Sequence, residues 1–355
     1  MKKAYLVLEN GQMFEGYAFG AEAEVTGELV FNTSAAGYVE TMTDPAYDGQ
    51  IVVQTFPMVG NYGIIPEDLE DTCYLRGCVV REWCEAPSNF RSQMSIDEYF
   101  KKQNIPGICG VDTRYLTRIL RENGTMNAAI CYERPEDVSF LKGEQNADAV
   151  AHVTTNIKEI YEPDVEPSHR VTLIDYGVRD SLIRNLVSRG VFVTVVPATY
   201  TAKQILETQP DGILLSGGPG DPAENLFYID VIKALLGRVP MYGIGLGHQI
   251  LALANGGMTY KLKYGHRGGN QPVKQVNGER TYITVQNHGY AVAAGSVTGG
   301  AVSFVNANDD TCEGIEYPDK KAFSVQFYPE TCQALDDALF EMFFAMMGGV
   351  DRAAE

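Results

Sequence analysis

The sequence has no apolar run approaching the ~20 residues that a helix needs to cross a bilayer, so no membrane span is expected. Its start, Met1-Lys2-Lys3-Ala4-Tyr5-Leu6-Val7-Leu8-Glu9, is basic but holds only about five apolar residues before Glu9, short of the ~7–15 of a secretory signal. It predicts the first strand of a cytoplasmic protein. Positive charge is scarce: 28 Lys and Arg stand against 46 Asp and Glu, for a formal charge of −18. A surface so acidic repels phosphate backbones, which argues against nucleic acid as a partner. The seven cysteines, Cys73, Cys78, Cys84, Cys109, Cys131, Cys312 and Cys332, are odd in number and form no CxxC pair. Scattered reduced thiols are expected, not disulfides or a metal centre. The five histidines are dispersed without metal-ligand spacing, so no metal is expected. Internal repeats and low-complexity tracts are absent too.

What remains is an ordinary globular composition, 45% apolar and 21% charged, over 355 residues. That length suits about two domains. Residues 1–133 read as a strand-rich α+β domain. Segments 4–9, 12–18, 28–32, 50–56 and 74–83 are rich in Val, Tyr, Phe and Ile and are separated by turn signals such as Asn10-Gly11 and Asp48-Gly49. Helices are predicted over 95–103 and 113–122, the second capped by Asp112 or Thr113 and stopped at Asn123-Gly124. Between 134 and 169 the apolar periodicity weakens. Pro135, Pro163 and Pro167 mark a linker, with short surface helices near Leu141 and over 147–153.

From residue 170 to 355 strands and helices alternate. Strands are predicted over 171–176, 191–196, 212–215 and 239–244, and helices over 180–188, 202–207 and 228–236. This is the pattern of an α/β, doubly wound, mainly parallel sheet. Beyond Gly257 the chain turns β-like, with strands over 282–286, 302–306, 313–317 and 323–327. A long apolar helix over 335–347 follows, stopped by Gly348-Gly349.

The sheet's carboxyl edge is where ligands of such folds bind, and three segments end there. In Met241-Tyr242-Gly243-Ile244-Gly245-Leu246-Gly247-His248-Gln249-Ile250 a buried strand turns sharply into a helix over 248–254. That is the geometry of a nucleophile elbow, yet its apex, Gly245, has no side chain. Leu215-Ser216-Gly217-Gly218-Pro219-Gly220-Asp221-Pro222 offers amide N–H groups for an oxyanion or carboxylate, or is a plain turn. Val325-Gln326-Phe327-Tyr328-Pro329-Glu330 is the third, and Gln286-Asn287-His288-Gly289-Tyr290 places polar groups after another apolar strand.

The elbow, the SGGPGDP loop and the strand ending in Pro-Glu resemble a triad-type glutamine amidotransferase domain. Further stretches narrow the resemblance to the small, glutaminase subunit of carbamoyl-phosphate synthetase. They are Gly27-Glu28-Leu29-Val30-Phe31-Asn32-Thr33-Ser34, Thr43-Asp44-Pro45, Gly60-Asn61-Tyr62-Gly63, Val111-Asp112-Thr113-Arg114 and Gly265-His266-Arg267-Gly268-Gly269-Asn270-Gln271-Pro272. The resemblance runs from about residue 3 to 345 and includes the N-terminal half, which other amidotransferases lack.

It implies that an elbow cysteine attacks the side-chain amide of glutamine, a histidine moves the proton and a glutamate orients the histidine. The ammonia passes to a large synthetase subunit, which joins it to bicarbonate for arginine and pyrimidine synthesis. No cofactor is expected in this chain; ATP and Mg belong to the large subunit. Carried over residue by residue, the acid is kept as Glu330, the cysteine position holds Gly245 and the histidine position holds Tyr328. Glutamine-binding positions fall on Gly218, Gly220, Leu246, Gln249, Asn287, Gly289 and Tyr290, with Ala46 where a serine is implied.

Gly245 cannot form a thioester, and a tyrosine is a poor base at neutral pH. Loss of a nucleophile removes on the order of 10⁶ in turnover. Glycine relaxes the strained apex, so its presence should favour the fold. Cys332, near Glu330, and His248, beside the elbow, are the available substitutes, and both read as bystanders. The expectation is a small subunit with its own glutaminase inactive or severely impaired. The alternatives are a hydrolase with an unusual nucleophile and a non-catalytic glutamine-binding regulatory subunit.

Overall fold

The computed structural model describes residues 2–143, 146 and 148–348. The chain forms two compact units, Met1–Ala149 and Val150–Glu355.

Strands β1 (Lys3–Leu8), β2 (Met13–Gly20), β3 (Val25–Asn32) and β4 (Gln50–Gln54) open the first unit, with helix α1 (Tyr38–Met42) before β4. Then come β5 (Met58–Val59), β6 (Gly77–Val79), β7 (Glu82–Trp83), helix α2 (Ile96–Gln103), β8 (Pro106–Cys109), helix α3 (Thr113–Asn123) and β9 (Met126–Cys131). Seven strands close into a barrel in the order β1-β2-β8-β6-β4-β3-β9, and β5 pairs with β7 apart from it. Period-two alternation buries both faces. Leu29, Phe31, Ile51 and Val53 pack with Leu116 and Leu120 of α3. Val30 and Val52, between them in sequence, pack with Ile96 and Phe100 of α2. Ser95 caps α2 with a full capping box, and the cap of α3 is Asp112, whose carboxylate accepts from Tyr115 N.

The strand predicted over 74–83 is broken into β6 and β7, and β8 was not anticipated. β8 opens on Pro106, a residue that a strand tolerates at its first position. The described part of the segment expected as a linker holds two short helices. Leu141 is buried in the first unit; helix α4 (Ala149–Val153) buries Val150 in the second, so neither short helix is merely superficial. Strand β10 (Glu159–Tyr161), also unforeseen, is the sheet edge and pairs antiparallel with the strand over Val191–Pro197.

The second unit continues β11 (His169–Asp175), α5 (Asp180–Ser188), β12 (Val191–Pro197), α6 (Ala202–Glu207), β13 (Gly212–Leu215), α7 (Leu226–Leu235), β14 (Met241–Ile244) and α8 (Leu246–Ala254). It ends with β15 (Thr259–Gln275), β16 (Thr281–Val292), β17 (Ala301–Asn306), β18 (Cys312–Tyr317), β19 (Ala322–Val325) and α9 (Gln333–Met347). One ten-stranded sheet runs β10-β12-β11-β13-β14-β19-β18-β16-β15-β17. From β12 to β19 it is parallel, as expected for the β/α repeat. Alternation again sets the faces. Ile213 and Leu215 join Ile232 and Leu235 of α7 on one side. Leu214, between them, joins Leu182 and Leu186 of α5 and Phe340 and Phe343 of α9 on the other. Helix α9 meets its predicted end at Gly348 (φ 83°); Gly349 lies outside the described residues.

The largest departure is the β15–β16 ribbon, of which only 282–286 was foreseen. Arg267-Gly268-Gly269 lies within β15, where the pairing slips between Gly268 and Gln271. The Asn287–Tyr290 stretch likewise lies inside β16 and not beyond a strand end. No helix among the described residues is long and apolar enough to cross a membrane.

Candidate active site

The elbow forms where β14 meets α8. Gly245 has φ 57° and ψ −114°, a conformation that L side chains rarely adopt. Hydrogen bonds pin it: Gly245 N donates to Val325 O at 2.9 Å, and Gln249 N donates to Gly245 O at 3.3 Å. Two neighbouring glycines make the turn sterically possible. A Cβ at Gly247 would stand 2.4 Å from Leu215 O, and one at Gly243 would stand 2.7 Å from Gly247 O. At Gly245 the obstacle is conformational more than spatial, since a Cβ would meet Gly217 Cα at 3.2 Å and Tyr328 Cε1 at 3.9 Å.

The SGGPGDP loop leans on the same point. A Cβ at Gly218 would stand 2.1 Å from Tyr176 O and 3.0 Å from Leu246 Cδ2, so the loop backbone passes where no side chain fits. Gly220 takes φ 88°. Ser216 is buried; its Oγ accepts from Tyr176 N at 2.9 Å and donates to Gly217 O at 2.9 Å. Thus Gly217, Gly218, Gly245, Leu246 and Tyr328, from the three segments expected at this edge, are gathered at one place.

Tyr328 is almost fully buried, and its N donates to Val285 O at 3.0 Å. Its ring lies under the Arg179 guanidinium, 4.7 Å from the ring centroid. Arg179 Nη1 stands 3.3 Å from Glu330 Oε1, both side chains largely shielded. The retained acid is therefore paired with an arginine. Arg179 was missed by sequence reasoning, because it lies before α5, about 150 residues from the acid it meets.

Gln249 is tied into the protein: its Nε2 donates to Tyr290 O at 2.7 Å and to Gln326 Oε1 at 2.8 Å. The first bond joins α8 to the Asn287–Gly289–Tyr290 segment of β16, and the second joins it to the residue after β19. A Cβ at Gly289 would approach Arg267 Nη2 to 3.2 Å. Ala46 lies in the first unit, in a short turn (Pro45–Tyr47) whose Asp44 side chain accepts from Ala46 N; it offers no hydroxyl.

Neither substitute is placed for the chemistry. His248 is completely buried with Nδ1 2.8 Å from Ser324 Oγ, and burial lowers its pKa to about 3, so it is neutral and stays so. Cys332 begins α9 and packs against the apolar cluster under α5 and α9. Burial pushes Cys73 and Cys312 up to about 12 and Cys131 up to about 11, and it raises Cys78 and Cys109 as well. None of these is an activated thiolate.

The histidines are less scattered than their spacing suggested. β15–β16 register sets His266 opposite His288, with ring centroids 4.9 Å apart, and Glu313 of β18 joins them. Cross-strand register made this cluster, and no sequence spacing reports it.

A strand-to-helix elbow at the carboxyl edge of a parallel sheet, under a glycine-rich loop and beside a Pro-Glu strand end, defines a class-I glutamine amidotransferase domain. The sequence profile described as glutamine amidotransferase class-I matches residues 172–347, and that described as carbamoyl-phosphate synthase small chain, CPSase domain, matches residues 6–130. The carbamoyl phosphate synthase small chain of Syntrophotalea carbinolica is 46% identical over 97% of this chain and 98% of its own length. That of Clostridium perfringens is 47% identical over 95% of this chain and 96% of its own. The pyrimidine-specific small chain of Bacillus subtilis is 42% identical over 99% and 98%. A solved glutamine amidotransferase of Thermotoga maritima, 17% identical, matches 51% of this chain and 90% of its own at a TM-score of 0.38. The chain belongs to the carbamoyl-phosphate synthase small chain family.

Proposed function

We propose that this chain is the small subunit of a cytoplasmic carbamoyl-phosphate synthase in which the subunit's own glutaminase is silent. It pairs with a large synthetase subunit that holds ATP and Mg and draws its nitrogen from free ammonia. The product, carbamoyl phosphate, feeds arginine and pyrimidine synthesis. The observation that carries this reading is the elbow: Gly245 supplies no nucleophile, Tyr328 supplies no base at neutral pH, and Glu330 is engaged by Arg179. The backbone cradle at 217–220 is retained, which supports descent from a working glutaminase and favours a second reading, a glutamine-sensing subunit that binds without hydrolysing.

The deciding experiment measures ammonia release from glutamine by the purified chain, with and without a large subunit, beside calorimetry with glutamine. The proposal expects no release, and carbamoyl phosphate made from ammonium but not from glutamine. Glutamine hydrolysis at ordinary enzymatic rates would overturn it. Measurable glutamine affinity without hydrolysis would select the sensing reading.

A further inference from the structure

On the antiparallel side of the second unit's sheet, His266, His288 and Glu313 converge from three strands, all buried, with candidate ligand atoms within 4.8 Å of one another. Each imidazole is held from outside. His266 Nε2 is 2.9 Å from Asp309 Oδ2, which turns Nδ1 toward Glu313 Oε1 at 3.2 Å and Gln286 Oε1 at 3.1 Å. His288 Nδ1 is 2.7 Å from the carbonyl oxygen of Tyr290. A carbonyl only accepts, so Nδ1 carries the proton; Nε2 stands 3.1 Å from Gln286 Oε1, also an acceptor, and two lone pairs face each other there unless a cation lies between them. Carboxylate and carbonyl partners of this kind orient metal-bound histidines.

Glu313 is fully buried, and its Oε2 has no hydrogen-bond partner among the described residues. Besides His266, Oε1 meets only Asn306 Nδ2 and Thr311 Oγ1, each at 3.4 Å. A buried carboxylate so poorly supplied with donors is stabilised by a cation.

We propose that His266 Nδ1, His288 Nε2 and the Glu313 carboxylate bind a divalent transition-metal ion of the zinc class. Two imidazole nitrogens and one carboxylate suit zinc and its neighbours, whereas calcium and magnesium take oxygen donors. Donors around a four-coordinate ion stand ~3.4 Å apart, so small side-chain rotations close the set. The ion's role is structural: it cross-links β15, β16 and β18 beside the Asn287–Tyr290 segment. The rival occupant is a proton shared between His266 and Glu313.

The test uses the full chain, stripped by a chelator and titrated with Co²⁺ under visible spectroscopy. The expected result is one Co²⁺ per chain, with the d–d bands of four- or five-coordinate cobalt, displaced by Zn²⁺. Glu313→Gln and His266→Gln should each weaken binding at least tenfold, and Asp309→Asn, which loosens an outer partner, by about tenfold. His152→Ala, at an exposed histidine, should change nothing. As a check free of buried variants, Zn²⁺ should raise the Tm of the natural chain and a chelator should reverse the rise. A folded chain that stays colourless, or whose Tm ignores Zn²⁺, overturns the proposal in favour of the proton. Cobalt binding that survives Glu313→Gln and His266→Gln overturns it too.

Discussion

Two buried polar centres sit in the same sheet and stand in opposite conditions. At the end of β14 a strand-to-helix elbow carries glycine at its apex, with Tyr328 beside it. Across β15, β16 and β18, ionisable groups are concentrated where no sequence motif announces them. The difference lies in what builds each. The elbow is made of main chain: three glycines, the Val325 and Ser216 carbonyls and the first turn of α8. Such a frame does not depend on a side chain at its apex. The cluster is made of side chains held by strand register and outer hydrogen bonds, so each member depends on the others.

The comparison is broken most forcefully by restoring chemistry to the elbow. Loss of a nucleophile costs on the order of 10⁶ in turnover, so a Gly245→Cys, Tyr328→His double variant should gain at least about 10³ in ammonia release. That range lies within what such a triad supplies. A double variant as silent as the natural chain would mean that the frame has lost its shape as well. Adding Arg179→Met tests whether the arginine restrains Glu330: the triple variant should exceed the double if a histidine at 328 must compete with Arg179 for the acid.

In the natural chain, Arg179→Met alone should be costly. It takes the guanidinium away from the shielded Glu330 carboxylate and uncovers Tyr328, and breaking a buried pair costs about 3–5 kcal/mol, with the lower end expected for side chains that are 11% exposed. Denaturant unfolding measures this directly. A loss near zero would mean that the pair is a bystander.

Legibility in the sequence follows the same division. Helices Asp180–Ser188 and Ala202–Glu207 and strand Gly212–Leu215 have the predicted bounds because apolar periodicity and turn residues agree there. Gly245 and Tyr328 stand in the sequence as departures within a motif, and Glu330 as its kept acid. The β15–β16 ribbon was not legible, because Lys261, Lys263 and Lys274 with the 267–269 run give it no apolar alternation. Closure of the first unit into a barrel, Arg179 beside Glu330, and His266 beside His288 are long-range pairings, and local pattern carries no record of them.

His248 offers a smaller test, by pH. Its pKa is near 3 in the folded chain, against the ordinary 6.5 when unfolded. Below pH 6.5 the unfolded chain binds a proton that the folded chain refuses, so this histidine's contribution to stability is complete above 6.5 and is lost as pH falls toward 3. Between pH 6.5 and 5 the loss should be about 2 kcal/mol. His248→Asn should flatten the stability profile over that window, as followed by urea unfolding at each pH. An unchanged slope would mean that the ring is not held neutral.

The smallest effect concerns the apex. Gly245→Ala adds one methyl group at φ 57°, with Gly217 Cα 3.2 Å from it. A left-handed backbone at a non-glycine residue costs about 1–3 kcal/mol, and the loss here should be about 1–2 kcal/mol. Gly11→Ala is a useful control: it has φ 87° and nothing within 4 Å of the new carbon, so it reports strain without contact. If Gly245→Ala costs more than Gly11→Ala, the excess belongs to Gly217 and the packed loop. The same strain falls on Gly245→Cys, so that variant should be less stable than the natural chain by a similar margin. A Gly245→Ala variant as stable as the natural chain would remove the physical reason offered for glycine at this position, and the vacant nucleophile site would then need a functional explanation.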